Sequence, residues 1–241
     1  MRVSPLSVKA CAVVCYLLAL AGAGTFAGRV LLLGLDVNLD LFRLPAAWAW
    51  ALDVTFLVLF GVQHSVMARA SFKARWTRLV PRALERSIYA ALSGVLLLAL
   101  AVAWQSVDDR VWWRGPRWLV ALPLAAGVGL VLVNLRFDHA GLFGLRQAWA
   151  GDRPEPPETL IVTGPYRYVR HPLMACLLAF LWTQPTMTTT LALLNGGMTL
   201  YIFLGLFFEE RDLAARFHPD YAAYRRRVPA LVPWRPPIPA P

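Results

Sequence analysis

Apolar positions in this chain fall into long unbroken runs and do not alternate with polar ones. Four runs occupy roughly residues 10–28, 46–67, 87–104 and 118–135. Each is close to the ~20 residues an α-helix needs to cross a ~30 Å hydrocarbon core. A further apolar stretch begins after His171 and is interrupted. Pro172 suits the first position of a helix, where its missing N–H costs nothing. The helix it starts can run to Trp182 before Thr183-Gln184-Pro185 stops it. That is about 11 residues or ~16 Å, too short to cross a bilayer alone. Thr186-Met187-Thr188 reads as a turn, and residues 189–208 can return as a ~30 Å helix. The pattern predicts an all-α, polytopic integral membrane protein of about six transmembrane or re-entrant helices. Residues 1–241 read as a single membrane domain. Its parts are four N-terminal spans (1–135), a loop, helical hairpin and C-terminal cap (136–233), and a tail (234–241).

Composition agrees: 58% of the residues are apolar and 16% charged, against about 45–50% and ~25% in soluble domains. Residues 68–86 hold Arg69, Lys73, Arg75, Arg78, Arg82 and Arg86 against Glu85, a net +5 that keeps a short loop cytoplasmic. Residues 29–45 balance Arg29 and Arg43 against Asp36 and Asp40, as an outer loop does. The N-terminus, residues 136–171 and the mouth of the hairpin then face the cytosol. Residues 21–24 also offer the small side chains of a signal-peptide cleavage site, but the first run is long for that role. The net charge of +10 serves topology and anionic lipid headgroups. No soluble domain exists to put it on nucleic acid. Cys11, Cys15 and Cys176 read as packing residues, and the histidine and cysteine spacing predicts no metal site. Gly127 and Gly129, inside a span, read as a site of close helix packing.

The hairpin mouth carries the chemistry. Arg170 and His171 precede a helix N-terminus, whose free N–H groups favour an anion. Glu209 and Glu210 lie where the returning helix leaves the membrane; a carboxylate pair at a helix C-terminus opposes the macrodipole and calls for a cation or hydroxyl donors. Opposite charges at one mouth suit a zwitterionic ligand, although the glutamates also suit a solvated face of a longer helix. Beyond them, Tyr221 and Tyr224 share a helix face and Arg225–Arg227 follow. This tail reads equally as a membrane-surface helix or as a cap over the mouth. Asp53 and His64 share a face of the second span. Ionisable groups in a span are functional suspects; Asp53 reads as a structural hydrogen-bonding group and His64 as a functional one.

Arg170-His171-Pro172-Leu173-Met174, then Glu209-Glu210-Arg211-Asp212-Leu213 and the Tyr221/Tyr224 pair, resemble the isoprenylcysteine carboxyl methyltransferase superfamily of membrane enzymes. Further pieces resemble its methanethiol S-methyltransferase branch, which makes dimethyl sulfide. They are residues 63–69 (QHSVMAR), Glu85-Arg86-Ser87 with Tyr89, residues 142–147 (LFGLRQ) and residues 185–188 (PTMT). The chain departs from the branch at Ala140-Gly141 and at Thr190-Leu191. The resemblance implies S-adenosylmethionine as cofactor, held by Tyr166, Arg170, His171, Pro172, Leu173, Glu209, Glu210, Tyr221 and Tyr224. Arg170, His171 and the helix start suit its carboxylate, the glutamates its ammonium or ribose hydroxyls, and a tyrosine its adenine. It implies a small thiol as acceptor, with no protein partner. A thiol at pH 7 needs a cation or base nearby, and His139, Arg146 and His64 are the catalytic candidates. The acceptor site is expected between residues 139–147 and the second span near His64. Rival readings are a methyltransferase acting on prenylated cysteine or phospholipid, a sterol-reductase-like enzyme binding a nicotinamide cofactor, and a non-catalytic denitrification-associated membrane protein of similar fold.

Overall fold

The computed structural model describes residues 4–37, 39–107, 110–136, 138–151 and 159–239. In chain order its elements are α1 (Pro5–Gly34), α2 (Ala46–Ala68), α3 (Ala70–Trp76), α4 (Glu85–Ala103), β1 (Val111–Arg114), α5 (Ala121–Leu135), α6 (His139–Leu142), α7 (Leu145–Ala150), α8 (Pro172–Trp182), β2 (Thr186–Thr188), α9 (Thr189–Arg216) and α10 (Asp220–Arg227). Among the described residues, 5 helical segments are long and apolar enough to cross a membrane: Pro5–Gly34, Ala46–Ala68, Arg82–Ala103, Arg117–Leu135 and Thr189–Arg216. Helix α8 is apolar but short, as the stop at Thr183-Gln184-Pro185 predicts. These segments make the protein an all-α, polytopic membrane protein.

The chain forms two compact units. The first contains α1–α4, β1, α6, α7, β2 and α9 through Leu194. Helices of one bilayer gain little from apolar burial against each other, because lipid tails are as apolar as leucine; small residues that allow close van der Waals contact substitute for it. Gly22 of α1 lies against the Gly94 backbone of α4, and a Cβ on Gly94 would sit 2.5 Å from the Ala19 Cα. Toward the C-terminal end of α1, Arg29 is buried and pairs with Asp40 at 2.7 Å. Both residues had read as loop charges; instead Arg29 is helical and its ion pair ties α1 to the following segment. Asp53 is fully buried and accepts the Gln105 backbone N–H at 3.0 Å, the structural role expected of it.

Residues 186–188 correct the turn reading. They form β2, antiparallel to β1 with Val111 opposite Thr188 and Arg114 opposite Thr186. Buried backbone groups need partners, and β1 supplies them to a Thr-Met-Thr stretch that is itself buried.

The second unit contains α5, α8, α9 from Asn195 onward, and α10. Helix α5 packs on α8, with Gly129 against the Cys176 Sγ and Gly127 against the Phe180 ring. The last carbonyls of a helix lack internal partners. Here the Asn195 Nδ2 of α9 donates to the Leu181 carbonyl at 2.6 Å, and Gln184 Nε2 donates to that of Phe180 at 2.7 Å. Trp182 Nε1 donates to Thr199 Oγ1 at 2.8 Å, so α8 and α9 are held together by polar bonds at the closed end of the hairpin.

A side chain on Gly94 should separate α1 from α4. Gly94→Val is expected to cost about 1–3 kcal/mol by overpacking, read as a lower unfolding midpoint in detergent, with Gly24→Val, whose Cβ meets nothing, as control.

Candidate active site

Pro172 is the first residue of α8, which places His171 at its N-cap and Arg170 directly before it. Helix α9 brings Glu210 alongside. Its Oε1 receives Arg170 Nε at 2.8 Å, His171 Nε2 at 2.7 Å and the Tyr221 hydroxyl at 2.8 Å. Its Oε2 faces Arg225 Nε at 3.3 Å. The side chains of Arg170, His171 and Glu210 are 10%, 4% and 14% exposed, so these contacts are largely shielded from water. Arg170 also donates to the carbonyls of Arg225 and Val228. The backbone N–H groups of Arg170 and His171 donate to Pro229 and Ala230 at 2.9 and 3.0 Å. The Tyr224 hydroxyl donates to the Tyr166 carbonyl at 2.7 Å, and Arg167 Nε to that of Ile238 at 2.6 Å.

Three expectations change. Helix α9 does not end at the glutamates but runs to Arg216, about two turns further, so a carboxylate at a helix C-terminus is not what defines the mouth. The cationic and anionic groups do not stand open to opposite charges of a ligand; Arg170 and His171 are bonded to Glu210. Tyr221 and Tyr224 are buried with their hydroxyls engaged, which makes them fasteners of the cap and not exposed stacking surfaces. The tail is thus fastened beside the hairpin entrance. Desolvation, and then the hydrogen bond to Glu210, push the Tyr221 phenol well above its ordinary pKa; desolvation first, and then the Glu209 carboxylate, raise that of Tyr166. Glu209 is the acidic residue with open capacity. Its side chain is 51% exposed, and His171 Nδ1 is 3.6 Å from its Oε2. Leu173 is half-buried in the first turn of α8.

The other candidates assemble in the first unit. His139 opens α6, and its Nε2 lies 2.9 Å from the Tyr16 hydroxyl of α1. Tyr16 and Phe143 pack edge-on against each other, and both rings contact that of His139. Asp138 caps α6 by accepting the Gly141 N–H at 2.9 Å and pairs with Arg146. A Cβ at Gly141 would overlap the Asp138 carboxylate, which accounts for glycine at this departure from the related pattern. Gly144 has φ +80°, and a side chain there would strike the backbone N of Ser87, 2.5 Å from the Cβ position. Helix α4 meets both groups of candidates: Arg86 reaches the Gly141 carbonyl at 3.4 Å, while Ser93 Oγ lies 3.0 Å from His64 Nδ1. Ser87 and Ser93 are about 9 Å apart along that helix. The Tyr89 ring also contacts His64, with centroids 4.9 Å apart.

The sequence model of the family described as NnrU protein matches residues 54–231, which include the Glu210 cluster, the residue 138–147 loop and His64. The chain belongs to this family. Methanethiol S-methyltransferase of Mycobacterium tuberculosis (strain ATCC 25618 / H37Rv) is 40% identical over 196 residues, covering 79% of this chain and 80% of that protein. Methanethiol S-methyltransferase 2 of Bradyrhizobium diazoefficiens is 40% identical over 192 residues, 75% of this chain and 72% of its own. Nurim of Mus musculus is 34% identical over 185 residues, 70% of this chain and 68% of its own. No solved structure matches. Tyr16 lies outside the family match and Asp138 inside it; sequence reasoning passed over both. A phenol in the middle of an apolar run was the available sign of Tyr16.

Glu210→Gln leaves Arg170 and His171 without their carboxylate. Removing one partner of a buried pair costs about 3–5 kcal/mol, whereas Glu209→Gln at a half-exposed position should stay within ~0.5 kcal/mol of wild type; denaturant or thermal unfolding distinguishes them. The raised Tyr221 pKa gives a second test. Its stabilising contribution is complete below the unfolded value of ~10 and is lost as pH rises through the higher folded value. Phenolate absorbance of the native protein should therefore lag free tyrosine, and Tyr221→Phe should remove one late-titrating phenol.

Proposed function

We propose that the protein is an integral-membrane S-methyltransferase that moves a methyl group from S-adenosylmethionine to a small thiol, with methanethiol the substrate and dimethyl sulfide the product. The supporting observation is that the Glu210 cluster, His139, Arg146 and His64 all lie within the stretch of family sequence, and that relatives carrying the methanethiol S-methyltransferase name are 40% identical over most of the chain. The half-exposed Glu209 and the free N–H groups at the start of α8 fit the ammonium and carboxylate of S-adenosylmethionine. Glu210 orients Arg170 and His171 beside them, while Tyr221 and Tyr224 hold the cap closed. The active site faces the cytosol of a bacterial inner membrane, the orientation set by the +5 loop at residues 68–86.

Held by Glu209 and the start of α8, S-adenosylmethionine would supply an electrophilic methyl group to the thiolate sulfur and leave as S-adenosylhomocysteine, with dimethyl sulfide as the product. The chain's own task is the proton. Alkyl thiols have a pKa at or above cysteine's ~8.5 and are mostly protonated at pH 7. His139 takes the thiol proton, held in place by Tyr16, and Arg146, fixed by Asp138, favours the thiolate. His64, bonded to Ser93, is the second candidate base.

Labelled S-adenosylmethionine and methanethiol, followed by headspace detection of dimethyl sulfide, test the reading. His139→Ala should lower turnover about 10²–10⁴-fold, the usual worth of a general base, and leave cofactor affinity nearly intact. Glu209→Gln should weaken S-adenosylmethionine binding by roughly 10-fold, as loss of a charged hydrogen bond does. Absence of S-adenosylmethionine binding by calorimetry, or methylation of a prenylated cysteine instead of methanethiol, would overturn it.

A further inference from the structure

The cap has a second surface that the methyl-transfer reading does not use. Helix α10 buries Tyr221 and Tyr224, which pack with Val228 against Leu160, Val162, Leu213, Phe217 and Ile238. Its remaining face carries Arg225, Arg226 and Arg227, all exposed. Arg235 folds back onto the end of this helix: it donates to the Arg226 carbonyl, and its guanidinium carbon lies 4.1 Å from the Trp234 ring centroid. Trp234 is 66% exposed and Val232 67% exposed. The Arg235 guanidinium and the exposed Trp234 indole thus lie together at the end of α10, next to the exposed Arg226 and Arg227. From residue 216 to 239 the charged residues are Arg216, Arg225, Arg226, Arg227 and Arg235 against Asp220, a net +4 (five positive less one negative).

We infer that this outer face of the cap, formed by Arg226, Arg227 and Arg235 with Trp234 and Val232, binds the anionic headgroups of membrane phospholipid. The surface is tethered at the bilayer because α9, long and apolar enough to span, ends at Arg216, close before α10 begins at Asp220. Guanidinium groups bind phosphate through paired N–H donors. An indole with a polar edge and an apolar body belongs at the headgroup level, where the exposed Val232 side chain would also leave water. A soluble polyanion would satisfy the arginines but leave Trp234 and Val232 in water. The consequence reaches the buried cluster. Arg225 of α10, 60% exposed, pairs with Glu210 of α9. Headgroups that hold α10 down also hold its donors on that carboxylate. The inference does not depend on the identity of the reaction.

The test uses the purified full chain in nanodiscs of phosphatidylcholine alone or with phosphatidylglycerol, with the thermal unfolding midpoint as readout. The combined variant Arg226→Gln, Arg227→Gln, Arg235→Gln leaves Arg225 in place, and Arg75→Gln with Arg78→Gln in the residue 68–86 loop is the control for general basic charge. Phosphatidylglycerol should raise the midpoint of wild type and of the loop control. The combined variant should match wild type in phosphatidylcholine, which shows that it folds, and lose at least half of the rise. No rise in wild type, an equal rise in the combined variant, or loss of the rise in the loop control would overturn the inference. So would the same rise on adding inorganic phosphate to phosphatidylcholine discs, since that marks a site for a free anion.

Discussion

The Glu210 carboxylate is the point on which the second unit depends. A buried carboxylate is unfavourable unless donors surround it, and this one draws them from separated parts of the chain: Arg170 and His171 before α8, Tyr221 and Arg225 on α10. The charge acts together with the apolar cluster of Tyr221, Tyr224 and Val228 on α10, bringing the hairpin entrance, the end of the span and the tail to a common position. The hydrogen bonds from Arg170 and His171 N–H to Pro229 and Ala230 then fix the chain after α10 as well.

The first unit is held by a different device. Gly22 against Gly94 lets the α1 and α4 backbones touch, and the polar side chains of α2 and α4 meet around Ser93. The residue 138–147 loop is pinned from both sides, internally by Asp138 with Arg146 and externally by Tyr16 and the start of α4. Its candidate catalytic groups thus have defined orientations, and the residue that orients His139 comes from the first helix, ahead of the family match. Within each unit taken by itself, ionisable side chains bond to other polar groups of that unit, so preorganisation and stability draw on the same residues.

The sequence alone determined the membrane class, the long helices and the short α8. Those follow from local facts: apolar run length against bilayer thickness, proline at the first helical position, and a Thr-Gln-Pro stop. It also marked Arg170, His171, Glu209, Glu210, His64, His139 and Arg146, because ionisable side chains in so apolar a chain stand out, but not Asp138 or Tyr16. It did not determine which charge meets which. Glu209 and Glu210 are neighbours with the same chemistry, and only the packing of α9 beside α8 and α10 decides that Glu210 is enclosed by donors while Glu209 stays half open. Arg29 read as a loop charge because its buried partner, Asp40, lies beyond the end of α1, and Thr186-Met187-Thr188 read as a turn because its hydrogen-bond partner lies at residues 111–114. Tyr16 was silent for the same reason: its contact, His139, is 123 residues away. Periodicity and helix signals are local, whereas ion pairing, strand pairing and ring contacts between distant residues exist only after the chain has folded.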